Sequence, residues 1–344
     1  MEVSLAEGTL GLAKGTSSSS CTSMSSCTSS GLAEGSSSSS SSLAKEYVRL
    51  YKGKFKLPPP QFLNNIMKGG VKNINSVSNT PSKVVVFDLD ETLGSFGDLF
   101  LLWTGTKHIY PEFDSFIELL DLYPEFLRTG IFAILNFLYK KKKARECEKI
   151  FIYTNNQCPP YWISLITHYF QTKIVPIGEQ NEIQLFDKVI GAFKIGNVPF
   201  EICRTSHKKI YSDLIRCTML PKTTEFCFID DTEYNKMKHD KIYYIRPRAY
   251  IHSLSVQEII DRWQTAFFSK YSILPSYWHS WFYIHGRNGR LSSTNESTEL
   301  HKQVSEKLMF HIREFFLLTN YPSLSKYTKK KRTSFSRRNT RKHL

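Results

Sequence analysis

Four short apolar segments constrain the fold of this chain more than any other feature of its sequence. They are rich in β-branched and aromatic side chains, and they cover residues 83–87, 150–153, 226–229 and 242–245. Segments that are apolar at successive rather than alternate positions are typical of strands that a parallel sheet buries on both faces. Because segments with helical periodicity lie between them, the chain is predicted to form an α/β fold with a doubly wound parallel sheet.

Three of the intervening segments fit amphipathic helices. Residues 130–140 and 162–170 each place apolar side chains on one helical face. A third helix is expected over residues 207–217, with Ser206 as its N-cap, because a serine hydroxyl at that position can accept a bond from the first free amide groups.

The two ends of the chain differ in composition from its centre and indicate five segments. Residues 1–45 are rich in serine and poor in apolar side chains, so they are expected to be disordered. Residues 46–80 contain proline and glycine breaks and are interpreted as a linker or N-terminal extension. Residues 81–262 form the predicted sheet domain. Residues 263–322 are predicted to be an aromatic-rich helical appendage, and residues 323–344 a basic, disordered tail.

Charge is concentrated in that tail. The 344-residue chain has a formal net charge of +15, and residues 326–344 contain nine lysines and arginines without an acidic residue. Such a tail is typical of nucleic-acid binding, and Lys329 to Arg332 resemble a nuclear-targeting sequence. No apolar run approaches the ~20 residues that span a membrane, so no membrane partner is expected. Without a secretory signal either, the protein is interpreted as intracellular, cytoplasmic or nuclear.

The seven cysteines lack a C-x-x-C pair. An odd count without that spacing argues against a disulfide framework or a structural zinc site, and it favours a reducing compartment.

Polar side chains follow three of the four apolar segments. They are Asp88, Asp90 and Thr92 after the first, Thr154, Asn155 and Asn156 after the second, and Asp230 and Asp231 after the third. Each of the two asparagines is expected either to donate to phosphate oxygens or to form a turn. The carboxyl ends of strands line the ligand crevice of a doubly wound sheet, so these side chains are expected to meet there. Four carboxylates in one crevice repel one another unless a cation is present, and their oxygen atoms suit Mg²⁺. Asp88, Asp90, Asp230 and Asp231 are therefore the predicted metal ligands.

The segment Asp88-Leu-Asp-Glu-Thr-Leu93 resembles the D-x-D-x-T signature of the haloacid-dehalogenase superfamily. The resemblance implies a Rossmann-type core over residues 81–262 and phosphatase chemistry that depends on Mg²⁺. By residue match, Asp88 would attack phosphorus and form an aspartyl-phosphate. Asp90 would protonate the leaving group and then activate water. Asp230 and Asp231 would match the acidic pair that helps to hold magnesium.

The resemblance also implies residues that bind the substrate phosphate. Thr154 matches the family's threonine or serine at the end of a strand, and Thr92 and Asn155 are further candidates. The family requires a lysine near a helix start, upstream of the acidic pair. Lys208 and Lys209 both qualify by position, and Lys209 is favoured.

Within the superfamily, the sequence of this motif most resembles that of the phosphatases that act on the carboxyl-terminal domain of RNA polymerase. It also resembles that of uncharacterised superfamily proteins of large DNA viruses. It departs from the former after Leu93, where Gly94-Ser-Phe follows. This likeness implies a macromolecular substrate such as a phosphoprotein. Because only about sixty residues separate Thr92 from Thr154, any lid is limited to a short insert, residues 95–128, and the cap is expected to be small or absent. Two alternatives are a polynucleotide end-phosphatase and a non-catalytic scaffold of the same fold that binds nucleic acid or protein.

Overall fold

The computed structural model of the protein describes residues 47–57, 81–286 and 297–319. These residues all belong to one compact unit, residues 38–344. The expectations of disorder for residues 1–45 and 323–344, and of nucleic-acid binding by the tail, fall outside the described residues. None of the helices in the described part has the length and apolar character that a bilayer crossing requires.

The described residues form eight strands and eight α-helices. The strands are β1 Val48–Tyr51, β2 Lys83–Phe87, β3 Lys149–Tyr153, β4 Lys188–Ile190, β5 Lys194–Ile195, β6 Val198–Pro199, β7 Glu225–Ile229 and β8 Ile242–Pro247. The helices are α1 Gly97–Ile109, α2 Phe116–Asp121, α3 Ile131–Lys143, α4 Pro160–Ile174, α5 Tyr211–Thr218, α6 Val256–Tyr271, α7 Pro275–His285 and α8 Thr298–Leu317.

Six strands form one sheet in the order β1-β8-β7-β2-β3-β4. Neighbouring strands are parallel except for β1 and β8, which are antiparallel. The α/β class, the mostly parallel sheet and all four predicted strands are therefore confirmed. The chain runs from β2 outward to β3 and β4 and then returns to β7 on the other side of β2. The strand order thus reverses at β2, the position where ligands bind in doubly wound sheets.

Burial on both faces explains why β2 is apolar at successive positions. Val85 and Phe87 face the larger part of the core, and Val84 and Val86 face a smaller cluster that includes Leu214 of α5. All four side chains are fully buried. A strand covered on one face only would instead alternate apolar and polar residues.

The ordered fold begins before residue 81, so the description of residues 46–80 as a linker is wrong for their first part. Strand β1 pairs antiparallel with β8 at the edge of the sheet. Val48 and Phe55 are buried in the main core. The sequence of β1 is short and mixes charged with apolar residues, which is why its pattern did not indicate a strand.

The boundary drawn between residues 262 and 263 is also wrong, because it falls inside helix α6. Trp263 of α6 and Phe315 of α8 are fully buried in the same core as the sheet. The Lys83 ammonium of β2 donates hydrogen bonds to the carbonyl oxygens of Phe315 and Leu318 at the end of α8. A cation at this position also complements the helix dipole. Helices α6 to α8 are therefore part of the described fold and not a separate appendage.

Residues 95–128 do not form a lid. Helices α1 and α2 lie in this segment, and Leu99, Leu102, Phe116 and Leu119 are buried in the main core. The segment therefore supplies one layer of the core, in agreement with a cap that is small or absent.

Helix α5 begins at Tyr211, so the prediction of a helix over residues 207–217 capped by Ser206 is wrong at its start. The buried Asp213 carboxylate accepts hydrogen bonds from the amide and hydroxyl of Thr205. This interaction folds residues 205–210 into a loop before the helix. The Asp213 carboxylate takes the Thr205 amide as a hydrogen-bond donor, and side-chain bonds of this kind compete with the backbone bonds of a helix.

A disulfide joins Cys203 and Cys217, contrary to the expectation that the cysteines are reduced. Cys217 lies near the end of α5 and Cys203 just before the preceding loop, so the bond closes a loop of residues around Lys209. The two cysteines are separated by 14 residues, a spacing that carries no recognisable pairing signal. Cys147, Cys158 and Cys227 are buried cysteines outside this disulfide.

Candidate active site

The three predicted strand ends meet at the carboxyl edge of the sheet, where the strand order reverses. Asp88 follows β2, Thr154 follows β3 and Asp230 follows β7, and these strands are neighbours. The amide of Asp88 donates to the Ile229 carbonyl at 2.8 Å, and the amide of Thr154 donates to the Ile190 carbonyl at 2.9 Å. The ladder thus fixes these residues one position beyond the end of each strand.

Three carboxylates form a compact cluster at this edge. Asp88, Asp230 and Asp231 each contribute one oxygen atom, and these atoms lie within 4.8 Å of one another. Asp230 is fully buried, and the Asp88 side chain retains 12% exposure. Asp231 is half-buried, so Asp88 and Asp231 retain some access to solvent, whereas Asp230 has none.

The two adjacent lysines have different positions. The Lys209 ammonium lies 2.5 Å from Asp88 Oδ1 and 2.6 Å from Asp230 Oδ2, and its side chain is 1% exposed. The rings of Tyr153 and Tyr234 lie 5.6 Å and 5.5 Å from the same ammonium. Lys208 is exposed and forms no ion pair with any of the described carboxylates. The structure therefore brings Lys209 to the cluster and leaves Lys208 outside it.

The electrostatics of the cluster reflect burial and crowding. Burial by itself lowers the pKa of Lys209, but the charges of Asp230 and Asp88 outweigh it, so the pKa lies above the ordinary value. Burial and the neighbouring charges of Asp88 and Glu91 raise the pKa of Asp231 to about 7. Burial also raises the pKa of Asp230, and the charge of Lys209 opposes this effect. The Lys209 ammonium contacts two of the three carboxylates, and when all three are ionised their negative charge exceeds its single positive charge.

This donor set fits a divalent cation with a preference for oxygen ligands. Asp88, Asp230 and Asp231 offer oxygen atoms close enough to share one ion, and Mg²⁺ is held by such carboxylates. The side chain of Asp90 is not a member of this group. Its prediction as a metal ligand through the carboxylate is therefore not supported by the geometry, because its side chain is directed to another partner.

That partner is Asn156. The Asn156 amide nitrogen donates to Asp90 Oδ2 at 2.7 Å. Burial raises the pKa of Asp90 to about 7, and the charge of Asp88 adds to this effect. Near neutral pH the Asp90 carboxyl group can therefore exist in both its protonated and its ionised forms, which is what proton transfer requires.

Thr92 and Asn155 were expected to bind phosphate, but the polar groups of both side chains are engaged by protein groups. The Thr92 hydroxyl donates to Asp231 Oδ1 at 3.0 Å and accepts from the Asp231 amide at 3.2 Å. Asn155 Oδ1 accepts from Arg204 at 2.7 Å, and its Nδ2 donates to the Tyr234 hydroxyl at 3.0 Å. Both side chains therefore order the site from within.

Thr154 keeps a donor for a ligand. Its buried hydroxyl oxygen accepts a hydrogen bond from the Asn156 amide at 2.9 Å. The hydroxyl hydrogen is not used in this bond, because a hydroxyl group can accept and donate at the same time. Thr154 can thus donate to an oxyanion at the end of β3.

Two buried arginines, Arg128 and Arg204, were missed by the sequence interpretation. Arg128 donates to the carbonyl oxygens of Thr92 and Glu91, each at 2.5 Å, and so holds the loop that carries Asp90. Glu91 has a positive φ of 60°, so this contact supports a strained backbone. Neither arginine lies in a recognisable motif. Asn156 was expected at this edge, but as a phosphate donor or turn residue, and its contact with Asp90 was not predicted.

The site therefore combines a partly accessible carboxylate, a buried ammonium, a carboxyl group with a pKa near neutrality and an oxygen-ligand set. Such a combination can bind an oxyanion, attack it with Asp88 and transfer a proton through Asp90. Comparison with models of protein families, with curated proteins and with solved structures finds no match to this chain.

Proposed function

We propose that this protein is a phosphomonoester hydrolase of the haloacid-dehalogenase type that forms an aspartyl-phosphate on Asp88. The observation that carries the proposal is the contact of one buried ammonium, that of Lys209, with both Asp88 and Asp230. The three residues come from distant parts of the sequence, and each was expected at the site because of its position in the chain.

In the first step, an oxygen atom of the Asp88 carboxylate attacks phosphorus, and the bond between phosphorus and the leaving oxygen breaks. The Lys209 ammonium beside Asp88 provides a fixed positive charge for the phosphoryl oxygens. Thr154 can donate its hydroxyl hydrogen to one of these oxygens. The arrangement is preorganised, since Lys209 is held by two carboxylates and two aromatic rings.

Asp90 performs both proton transfers in this proposal. Its proton moves to the leaving oxygen in the first step. In the second step Asp90 takes a proton from a water molecule, whose oxygen attacks phosphorus and displaces Asp88. Inorganic phosphate leaves, and the two carboxylates return to their initial state. The hydrogen bond from Asn156 orients Asp90 throughout.

Asp88, Asp230 and Asp231 would hold a magnesium ion beside Lys209. When bound, Mg²⁺ neutralises charge on the phosphate and on the crowded carboxylates. Thr92 contributes by fixing the Asp231 carboxylate through its hydroxyl group.

We propose a macromolecular substrate, a phosphoprotein, because residues 95–128 pack into the main core, which argues against their use as a separate cap. The basic segment 326–344, which lies outside the described residues, is the reason to keep nucleic-acid ends as an alternative substrate and the nucleus or cytoplasm as the proposed location. A non-catalytic scaffold of the same fold is the third possibility. Binding alone would not require a buried lysine in contact with both Asp88 and Asp230, so this contact favours the enzyme.

A panel of phosphate esters tests the proposal. It contains phosphopeptides, oligonucleotides with 3′- or 5′-phosphate and p-nitrophenyl phosphate, and phosphate release is measured with Mg²⁺ and with a chelator. We expect Mg²⁺-dependent hydrolysis by the wild-type protein, and a loss of at least ~1,000-fold in Asp88→Asn. Hydrolysis that survives both the chelator and this substitution would contradict the proposal, as would a wild-type protein that hydrolyses none of the esters.

A further inference from the structure

Arg204 is a buried arginine between two loops of the candidate site. It is 3% exposed. One terminal nitrogen, Nη1, donates to the carbonyl oxygens of Thr154 at 2.9 Å and Gly191 at 2.7 Å. The other, Nη2, donates to Asn155 Oδ1 at 2.7 Å and to the His207 carbonyl at 3.0 Å.

These four acceptors belong to three different segments. Thr154 and Asn155 follow strand β3, and Gly191 follows strand β4. His207 lies in the loop that also contains Lys209, two residues further along. A single guanidinium group therefore links the end of the sheet to the loop that carries the catalytic ammonium.

The link continues through a side-chain network. Asn155, which Arg204 orients, donates to the Tyr234 hydroxyl. The Tyr234 ring lies 5.5 Å from the Lys209 ammonium. Arg204 thus acts on Lys209 along two routes, through the His207 backbone and through Asn155 and Tyr234.

Arg204 is not held by a carboxylate. Among the described residues no acidic side chain forms an ion pair with it, and its charge is balanced by oxygen atoms and by the Tyr153 ring at 4.8 Å. A buried guanidinium without an acidic partner is costly, so its position is set by the geometry of the acceptors. Only a planar group with several donors can satisfy all four of them, and lysine cannot.

We propose that Arg204 is a positioning residue, which holds the Thr154 loop and the Lys209 loop in the relative arrangement that phosphoryl transfer needs. The inference rests on the proposed function for its catalytic consequence. Arg204 does not touch the reacting atoms, because its terminal nitrogens are used by the protein.

The test compares Arg204→Lys with Arg216→Lys. Arg216 is a suitable control because it donates to the Cys203 carbonyl at 2.6 Å, just before this loop, and its side chain is 49% exposed. A lysine at this position keeps the positive charge that pairs with Asp213. Hydrogen exchange is measured by mass spectrometry for residues 154–156 and 205–210. Phosphate release from the best ester of the panel gives kcat and KM.

In Arg204→Lys, we expect exchange to be at least about tenfold faster in both segments. We also expect kcat to fall at least about tenfold, with KM changed less than about threefold, since alignment and not binding is lost. Arg216→Lys is expected to stay within about twofold of wild type in all three quantities.

Two results would overturn the inference: unchanged exchange in either segment, or faster exchange with an unchanged kcat. If Arg204→Lys does not fold, Asn155→Ala replaces it. This variant removes one of the four acceptors and the hydrogen bond to the Tyr234 hydroxyl, so exchange at residues 154–156 should still increase and kcat should still fall. Unchanged values in Asn155→Ala would equally overturn it.

The exchange measurement needs no turnover. A wild-type protein without activity would therefore count against the proposed function, and the link between the two loops would still be decided by exchange.

Discussion

Lys208 and Lys209 are neighbours in the sequence, yet only Lys209 is buried against two carboxylates. Without its ammonium, Asp88 and Asp230 would face each other in a site that excludes water. Removal of a buried, paired ammonium therefore lowers the free energy of unfolding far more than removal of a solvated one.

We therefore expect Lys209→Met to lower the free energy of unfolding by about 3–5 kcal/mol at pH 8 in the presence of a chelator. Lys208→Met is the matched control and should change it by no more than about 0.5 kcal/mol. Urea denaturation followed by tryptophan fluorescence measures both. Equal effects of the two substitutions would show that Lys209 is not the buried cation of the site.

Asp90 is the residue for which the direction of the pH dependence of stability can be stated. Burial raises its pKa to about 7 in the folded protein, whereas the unfolded value is about 3.9. Between these values the folded state binds more protons than the unfolded state, so this group's contribution to stability decreases as pH rises.

Asp90→Asn removes this contribution while its amide oxygen can still accept from Asn156. We expect the variant to match wild type near pH 4 and to be more stable by at least about 1 kcal/mol at pH 8, in the presence of a chelator. Urea denaturation at a series of pH values measures the difference. A difference that is constant with pH, or that shrinks as pH rises, would show that Asp90 is not held in a setting that favours its proton.

The residues at the strand ends could be predicted because the carboxyl ends of parallel strands meet by geometry. Asp88, Thr154 and Asp230 were placed in this way. The choice between Lys208 and Lys209 could not be made from spacing alone, since it depends on which side chain the loop before α5 turns inward. Arg204 and Arg128 act through backbone carbonyl groups of distant loops, and such contacts leave no periodic pattern in a sequence.

Individual elements were predictable where one property dominated. The successive apolar residues of β2 follow from burial on both faces, and helix α3 follows from its apolar stripe, which includes Ile134 and Leu138. The start of α5 was missed because the buried Asp213 carboxylate binds Thr205 and keeps residues 205–210 in a loop, so the helix begins only at Tyr211. Strand β1 was missed because its order depends on pairing with β8, a partner almost 200 residues away in the chain.

Helix α8 provides the prediction at the scale of an element. Its Phe315 side chain is fully buried, in contact with Phe55 and Tyr243, whereas Phe310 on the same helix is 62% exposed. We expect Phe315→Ala to lower the free energy of unfolding by about 3–5 kcal/mol and Phe310→Ala by about 0.5 kcal/mol or less.

Urea denaturation of both variants is again the measurement. If residues 263–322 were an independent appendage, Phe315→Ala would leave the main transition unchanged. A single transition that shifts with Phe315→Ala would show that α8 and the sheet unfold together.

The whole molecule places its candidate site at the point where the strand order reverses. The α/β class and the location of this edge followed from the alternation of apolar and periodic segments. The edge strand and the integration of α6 to α8 did not, because each depends on contacts between segments far apart in the chain. The disulfide between Cys203 and Cys217 did not either, because its spacing carries no recognisable pairing signal. Helices α6 to α8 share the main core with the sheet, and the Asp88 side chain remains partly exposed.

The central claim is that Asp88 accepts a phosphoryl group in a site that Mg²⁺ completes. Beryllium trifluoride mimics a phosphoryl group on a carboxylate and requires no knowledge of the substrate, so its binding can be followed by fluorine NMR. With Mg²⁺, we expect a bound fluorine signal for the wild-type protein and for Asp90→Asn, and no such signal for Asp88→Asn or after chelation. A bound signal that persists in Asp88→Asn, or the absence of any bound signal in the wild-type protein, would contradict the assignment of Asp88 as the nucleophile.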